Sequence, residues 1–194
     1  MKNKLFYVSF CLILIFFMTV LTPVFAETIE TDNGLEDNEL SEHITDYYQF
    51  EYDSGLWEVT VVEQDFPIID MVMLDLPVAT GNVHIMVQET PLSRNSYYDA
   101  SLEEFEMVFE DYELHKSREV EGDFFHEFVY YAKMEGRPLK FRQLYEVLER
   151  EGQNNLVILF TYSSLEENFN DYVEEIETVI DSIQIFNLEE EISG

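Results

Sequence analysis

The sequence of 194 residues contains a single cysteine, Cys11, which lies in an apolar run near the N-terminus. Residues 27–194 therefore contain no thiol that could form a disulfide or act as a nucleophile. This part of the chain must be stabilised by burial of its apolar side chains, and its length suits one domain with a single sizeable core.

Basic residues are also scarce. The chain has 10 lysine and arginine residues against 41 aspartate and glutamate residues, for a formal net charge of −31. A field of this sign repels nucleic acids and anionic membrane surfaces, so we expect no nucleic-acid partner. The charge mainly indicates solubility, and the other interpretations are attraction of divalent cations or of a basic protein.

Residues 1–26 have the three parts of a secretory signal peptide. Lys2 and Lys4 precede an apolar run over residues 5–21, and short side chains precede a cleavage site that we predict after Ala26. We therefore expect a secreted, extracellular protein with no stable membrane insertion after cleavage. The alternative is an uncleaved N-terminal membrane anchor, because the run approaches the length that spans a bilayer.

The remaining chain divides into three segments by composition. Residues 27–43 are acidic and poor in aromatic residues, which is typical of a flexible leader. Residues 44–186 contain the apolar patterns of one globular domain. Residues 187–194 form a second acidic segment, which we predict to be a tail.

Alternating apolar and polar residues, together with short apolar runs rich in β-branched residues, predict strands throughout the domain. Short turns separate the last three strands, so we expect them to form an antiparallel meander. The predicted strands cover residues 48–52, 57–61, 71–77, 82–90, 124–133, 139–148 and 155–162.

Two segments have helical spacing of apolar residues. The first is predicted over residues 101–113, with Ser101 and Glu104 as a capping box, and the second over residues 164–183, with a similar box at its start. Strands grouped around helices, without strict alternation, indicate an α+β fold in which an antiparallel β-sheet is flanked by helices.

Two stretches resemble the Mog1/PsbP-like family. FEYDSGLWEV (Phe50–Val59) is similar to the family's opening strand and turn, and the sequence from Leu156 to Phe186 is similar to its final strand and closing helix. The resemblance implies an α/β/α sandwich that binds a partner and catalyses no reaction. None of the family's partner-contacting residues has a matching motif in this chain.

Motifs that would define a reaction are absent. The sequence has no G-x-S-x-G motif, and its four histidines lack the spacing of a helical zinc site, so we predict no catalytic and no metal-binding residues. We expect no cofactor. Calcium is a weak alternative, because Asp32, Asp37 and other oxygen donors of the leader are the ligands that this ion prefers, although their spacing is not that of an EF-hand.

One concentration of positive charge lies around a predicted hairpin. It consists of Lys133, Arg137, Lys140 and Arg142, which we take as candidate binding residues. On an acidic body such a cluster could bind an acidic patch of another molecule, or it could simply balance cross-strand glutamates.

These observations favour a non-enzymatic, exported domain that docks onto a protein or cell-envelope partner. Two alternatives stay open. One is a calcium-dependent surface or adhesion factor. The other is a hydrolase with a carboxylate pair, which would need a cleft lined by acids of raised pKa.

Overall fold

The computed structural model describes residues 40–63, 67–75, 81–134 and 136–186. The predicted signal peptide, residues 27–39 of the predicted leader and the predicted tail lie outside the described residues. Over the part of the chain that the structure describes, neither helix combines the length and apolar character that crossing a membrane requires.

The described chain contains ten strands and two helices. The strands are β1 (Leu40–Ile44), β2 (Tyr48–Asp53), β3 (Glu58–Val61), β4 (Ile68–Asp75), β5 (Gly81–Thr90), β6 (Glu110–Glu119), β7 (His126–Met134), β8 (Arg137–Leu148), β9 (Asn155–Leu165) and β10 (Gln184–Ile185). The helices are α1 (Arg94–Val108), between β5 and β6, and α2 (Val173–Ser182), between β9 and β10.

The strands form two antiparallel sheets. The larger has seven strands in the order β3-β4-β5-β9-β8-β7-β6, and the smaller has three in the order β1-β2-β10. The predicted meander is confirmed, since β7 pairs with β8 and β8 pairs with β9. Its two connections are too short to join parallel strands.

Apolar side chains pack on both faces of the seven-stranded sheet. Phe160 belongs to a core that also contains Phe50 of the small sheet and Ile176 of α2. On the opposite face, Tyr130 belongs to a second core under α1, where Phe105 stacks on it at a centroid distance of 4.6 Å. We call these the α2 face and the α1 face of the sheet.

The predicted α/β/α sandwich is wrong. The molecule is mainly β, because a second sheet of three strands takes up much of the α2 face. Residues 110–113, predicted to end the first helix, begin β6, and Ser164 and Leu165 continue β9 where the second helix was predicted to start. Both predicted helices therefore included residues that belong to strands. The error arose because a strand, like an amphipathic helix, buries the side chains of one face.

Both predicted capping boxes are also wrong. Helix α1 begins at Arg94, and the side chain of Ser93 accepts the hydrogen bond from the Ser96 amide that defines its N-terminus. Ser101 is buried within the helix and donates to the carbonyl of Tyr97 at 2.8 Å. The first turns of α1 are too polar to show a helical period, so the sequence pattern placed the start of the helix about two turns too late.

Candidate functional site

A buried carboxylate on β7 collects three basic side chains. Glu127 is 1% exposed. Its Oε2 atom lies 2.8 Å from Nζ of Lys116 and also accepts a hydrogen bond from Nε of Arg118, while Oε1 accepts from Nε of Arg142 at 2.7 Å. Glu127 and its three basic partners, Lys116, Arg118 and Arg142, are called the Glu127 group below. Their formal charges add up to +2.

The strand register explains why these residues meet. Arg118 pairs across with Glu127, and Arg142 pairs with Val129, two residues further along β7. Since alternate residues of a strand share a face, Lys116, Arg118, Glu127 and Arg142 all lie on the α2 face. An irregularity of β6 between Leu114 and Lys116 places Lys116 on this face as well.

The basic partners keep Glu127 ionised. Burial by itself raises the pKa of a carboxyl group, but the hydrogen bonds from Lys116 and Arg118 and the charge of Arg142 outweigh it and hold the pKa of Glu127 at about 2. Lys116 and Arg118 remain about half exposed, so each can still donate hydrogen bonds to a group arriving from solvent.

Arg142 also connects the sheet to the second helix. Its terminal nitrogens donate to the two carboxylate oxygens of Glu177 on α2 at 2.7 and 3.3 Å. A bidentate contact of this kind fixes the plane of the guanidinium group. The position of Arg142 is thus determined from both β7 and α2.

The structure separates the four predicted binding residues. Arg142 belongs to the Glu127 group, and Lys133 pairs with Asp111 of β6. Lys140 lies on the α2 face with its Nζ atom 4.4 Å from the ring centroid of Phe169. Arg137 is exposed at the hairpin turn, and the register assigns it to the other face of the sheet.

Strands β6, β7 and β8 hold most of the protein's basic residues. Six of the ten lysines and arginines in the sequence lie on β6, β7 and β8. Five of them share the α2 face and are called the basic face below: Lys116, Arg118, Lys133, Lys140 and Arg142. Arg137 adds a sixth charge at the hairpin end of the same three strands.

The sequence prediction missed Lys116, Arg118, Glu127 and Glu177. The contacts of Lys116 and Arg118 with Glu127 could not be anticipated without β6, which was not predicted as a strand. The contact of Glu177 with Arg142 depends on how α2 packs on the sheet. The available signal was the two-residue spacing of Lys116 and Arg118, which places both side chains on one side of an extended chain.

The described residues contain no group of three or more histidine, cysteine, aspartate or glutamate side chains that could hold a metal ion. The acidic leader residues considered for calcium lie outside the described residues. The calcium alternative accordingly stays a prediction.

A cleft of about 530 Å³ lies between the start of α1 and the end of β8. Burial raises the pKa of Glu146 in this cleft despite its ion pair with Arg94. Glu149, also in the lining, accepts a hydrogen bond from the amide of Arg94 at 3.4 Å. The guanidinium carbon of Arg94 in turn lies 4.8 Å from the centroid of Phe125, so both carboxylates contact a residue that is itself held in place.

A hydroxyl and an imidazole meet on the α1 face. Oγ of Ser117 lies 2.8 Å from Nε2 of His126 and 3.2 Å from the hydroxyl of Tyr98. Burial lowers the pKa of His126, which packs against Tyr98 and other rings. Within the described residues no carboxylate bonds to the second ring nitrogen, so the orienting third member of a hydrolase triad is missing from this part of the chain.

No protein-family model and no curated protein sequence matches the chain. The resemblance to the Mog1/PsbP-like family therefore stays a prediction.

Some solved structures are similar to the chain. LpqN of Mycobacterium tuberculosis, described as involved in cell envelope biogenesis, superposes with a TM-score of 0.53 at 8% identity, over 76% of this chain and 92% of that one. PA94 of Pseudomonas aeruginosa, a protein of unknown function, gives 0.45 at 14% identity over 71% and 91%. The immunity protein TplEi of the same species gives 0.43 at 14% identity over 74% and 47%.

The similarity to LpqN establishes the class of fold. This chain is an antiparallel β domain with the architecture of LpqN. At 8% identity the likeness concerns the fold alone, so the chemistry of the site has to be argued from its own residues.

Proposed function

We propose that this protein is an exported, non-enzymatic domain that binds an anionic protein or cell-envelope component through the basic face and the hairpin tip. The observation that carries the proposal is the Glu127 group, in which one buried carboxylate holds three basic side chains in fixed positions. Basic side chains that are already ordered lose less conformational entropy when they bind a partner.

The charge distribution supports the same proposal. On a chain of net charge −31, the five residues of the basic face and Arg137 at the hairpin tip form a local concentration of positive charge. The acidic remainder repels anionic partners that approach in other orientations, so the patch selects the orientation of binding. The predicted signal peptide and the fold shared with LpqN, a protein described as involved in cell envelope biogenesis, both favour a partner outside the cytoplasm.

Binding is favoured over hydrolysis by the state of the carboxylates. Glu146 and Glu149 line a cleft of the size that ligand pockets have, but Arg94 contacts both of them. A catalytic pair needs one carboxyl group free to donate a proton and another free to attack or to activate water. The guanidinium group of Arg94 disfavours the protonated form of Glu146 that a general acid needs, although burial still raises the pKa of Glu146. Glu149 is held by the backbone amide of Arg94.

The proposal can be tested by crosslinking on living cells of the source organism. Lys133→Gln with Arg137→Gln removes two exposed charges and leaves the Glu127 group intact. Arg150→Gln is the matched control, because Arg150 is a basic residue outside β6–β8 that pairs with Glu89. We expect the double variant to capture at least about fivefold less of the specific partner, and the control to capture as much as the wild type.

Salt and protease identify the kind of partner. Capture through the basic face should fall as salt rises from 0.05 to 0.5 M, since exposed charges are screened. Protease treatment of the captured material separates a protein from an anionic polymer. The proposal fails if the double variant captures as much as the wild type, or if nothing is enriched over an unrelated acidic protein.

A further inference from the structure

Strand β6 is the longer of the two outer strands of the seven-stranded sheet. It has ten residues, whereas β3 on the opposite edge has four. Among the described strands, β7 alone pairs with β6, so the other side of β6 carries backbone donors and acceptors that a further strand can bind. Eight of the ten β6 residues are exposed.

The charges of β6 fall into two blocks. Glu110, Asp111 and Glu113 lie in its first half, and Lys116 and Arg118 lie in its second half, before the final Glu119. Charged residues on an edge strand usually prevent pairing with other chains. Two blocks of opposite sign behave differently, because an antiparallel copy of the same strand places each block beside its opposite.

We propose that β6 pairs antiparallel with β6 of a second copy of this chain, about a two-fold axis near Leu114 and His115. Glu113 of each copy then lies across from Lys116 of the other. The pairing with Tyr131 and Val129 assigns Glu113 and Lys116 to the α2 face, so the two side chains project from the same side of the extended sheet. The inference is independent of the proposed function.

The opposite face of β6 provides an apolar contact at the same axis. Leu114 pairs across with Tyr130, which places it on the α1 face, and it is 38% exposed. A second copy would cover the two Leu114 side chains, which lie next to the axis.

The mixed charge of β6 favours pairing with a second copy over pairing with a peptide whose charges all have the same sign. A purely acidic segment would be repelled by the half with Glu113, and a purely basic one by the half with Lys116. The net charge of −31 opposes association at long range, but at 0.15 M salt the Debye length is about 8 Å. Contacts within the interface persist under that screening.

Sedimentation of the protein recovered after export, in 0.15 M salt, tests the stoichiometry. We expect a reversible dimer. Glu113→Lys places like charges opposite each other at two symmetric positions and should weaken the dimer at least about tenfold. Glu113→Lys combined with Lys116→Glu restores opposite charges and should recover dimerisation. A monomer at all concentrations up to about 100 μM overturns the proposal, as does a Glu113→Lys variant that dimerises like the wild type.

Because Lys116→Glu also disturbs the Glu127 group, disulfide trapping provides a second test. In a Cys11→Ser background, Leu114→Cys should form a dimer crosslink under mild oxidation. Val61→Cys is the matched control, since Val61 is 61% exposed on β3 at the other edge of the sheet. The proposal is overturned if Leu114→Cys stays uncrosslinked, or if Val61→Cys crosslinks equally well. Both readouts report assembly, so failure to bind a cell-envelope partner leaves them unchanged.

Discussion

The Nε atom of Arg142 lies 2.7 Å from Oε1 of Glu127, and the side chains of both residues are largely removed from water, with exposures of 13% and 1%. A charge buried to this extent is stable only while its partners are present. The pair therefore determines how β7 and β8 tolerate substitution, and its consequences can be measured.

Glu127→Gln should destabilise the protein by about 3 kcal/mol, because the neutral amide leaves Arg142 buried with too little compensating charge. Urea unfolding at pH 7 measures the change. The matched control is Glu177→Gln, which removes the other carboxylate on Arg142 at a position that is 44% exposed, and it should cost at most about 1 kcal/mol. Equal losses for the two variants would show that burial of Glu127 has no special energetic role.

Acid should remove the contribution of Glu127. Its pKa falls from an ordinary value of 4.5 to about 2 on folding, so the folded state favours the ionised form. The stabilisation is complete above pH 4.5 and is lost as the pH falls towards 2. We expect the difference in unfolding free energy between wild type and Glu127→Gln to shrink over that window. A difference that stays constant between pH 5 and pH 2.5 contradicts the lowered pKa.

The central meander could be predicted from the sequence because its signals are local. Aromatic and β-branched residues alternate along β7, β8 and β9, and glycine occurs in both connecting turns. Gly136 and Gly152 have φ values of +77° and +72°, the left-handed region that other residues adopt at a cost. These signals extend over only a few residues each, so the local sequence was sufficient to predict the three strands and their turns.

Strand β6 could not be predicted in the same way. An outer strand buries little, and only Tyr112 and Ser117 of β6 are partly buried. Its sequence has no continuous alternation of apolar and polar residues, and its register is interrupted twice. The candidate site was not predicted for the same reason, since Glu127 of β7 receives its partners from β6 and β8, which only the tertiary structure brings together.

The second sheet was missed for a related reason. Strand β10 has two residues, too few for a periodic pattern, and β1 begins at Leu40 within a segment that is mostly acidic. Strand β2 was predicted, but nothing local indicates that it leaves the main sheet to pair with β1 and β10. Long-range pairing decided this part of the fold.

Removing the charge of Glu146 should change the stability of the protein in the opposite direction from removing the charge of Glu127. Burial raises its pKa even with Arg94 beside it, so the folded state favours the protonated form. The associated stability is present at low pH and is lost as the pH rises through the folded pKa. Glu146→Gln should therefore raise the melting temperature at pH 7, whereas Glu127→Gln lowers it. A decrease for Glu146→Gln at pH 7 would mean that the ion pair with Arg94 outweighs burial.

Helix α1 should depend on one aromatic side chain, Phe105, for its attachment to the sheet. Phe105 is 2% exposed and packs against Tyr130 and Phe128 at centroid distances of 4.6 and 5.5 Å. Phe105→Ala removes both contacts and leaves a cavity, so it should cost about 3–5 kcal/mol. Met107→Ala on the same helix changes a largely exposed side chain and should cost less than about 0.5 kcal/mol.

Urea unfolding followed by both tryptophan fluorescence and circular dichroism distinguishes two ways in which Phe105→Ala could act. Trp57 belongs to the core of the α2 face, whereas Phe105 lies on the α1 face. If the two cores unfold together, both signals shift to the same lower urea midpoint. If α1 detaches first, circular dichroism changes before the fluorescence of Trp57. We expect coincident transitions, because strands β4, β5, β8 and β9 each contribute side chains to both cores.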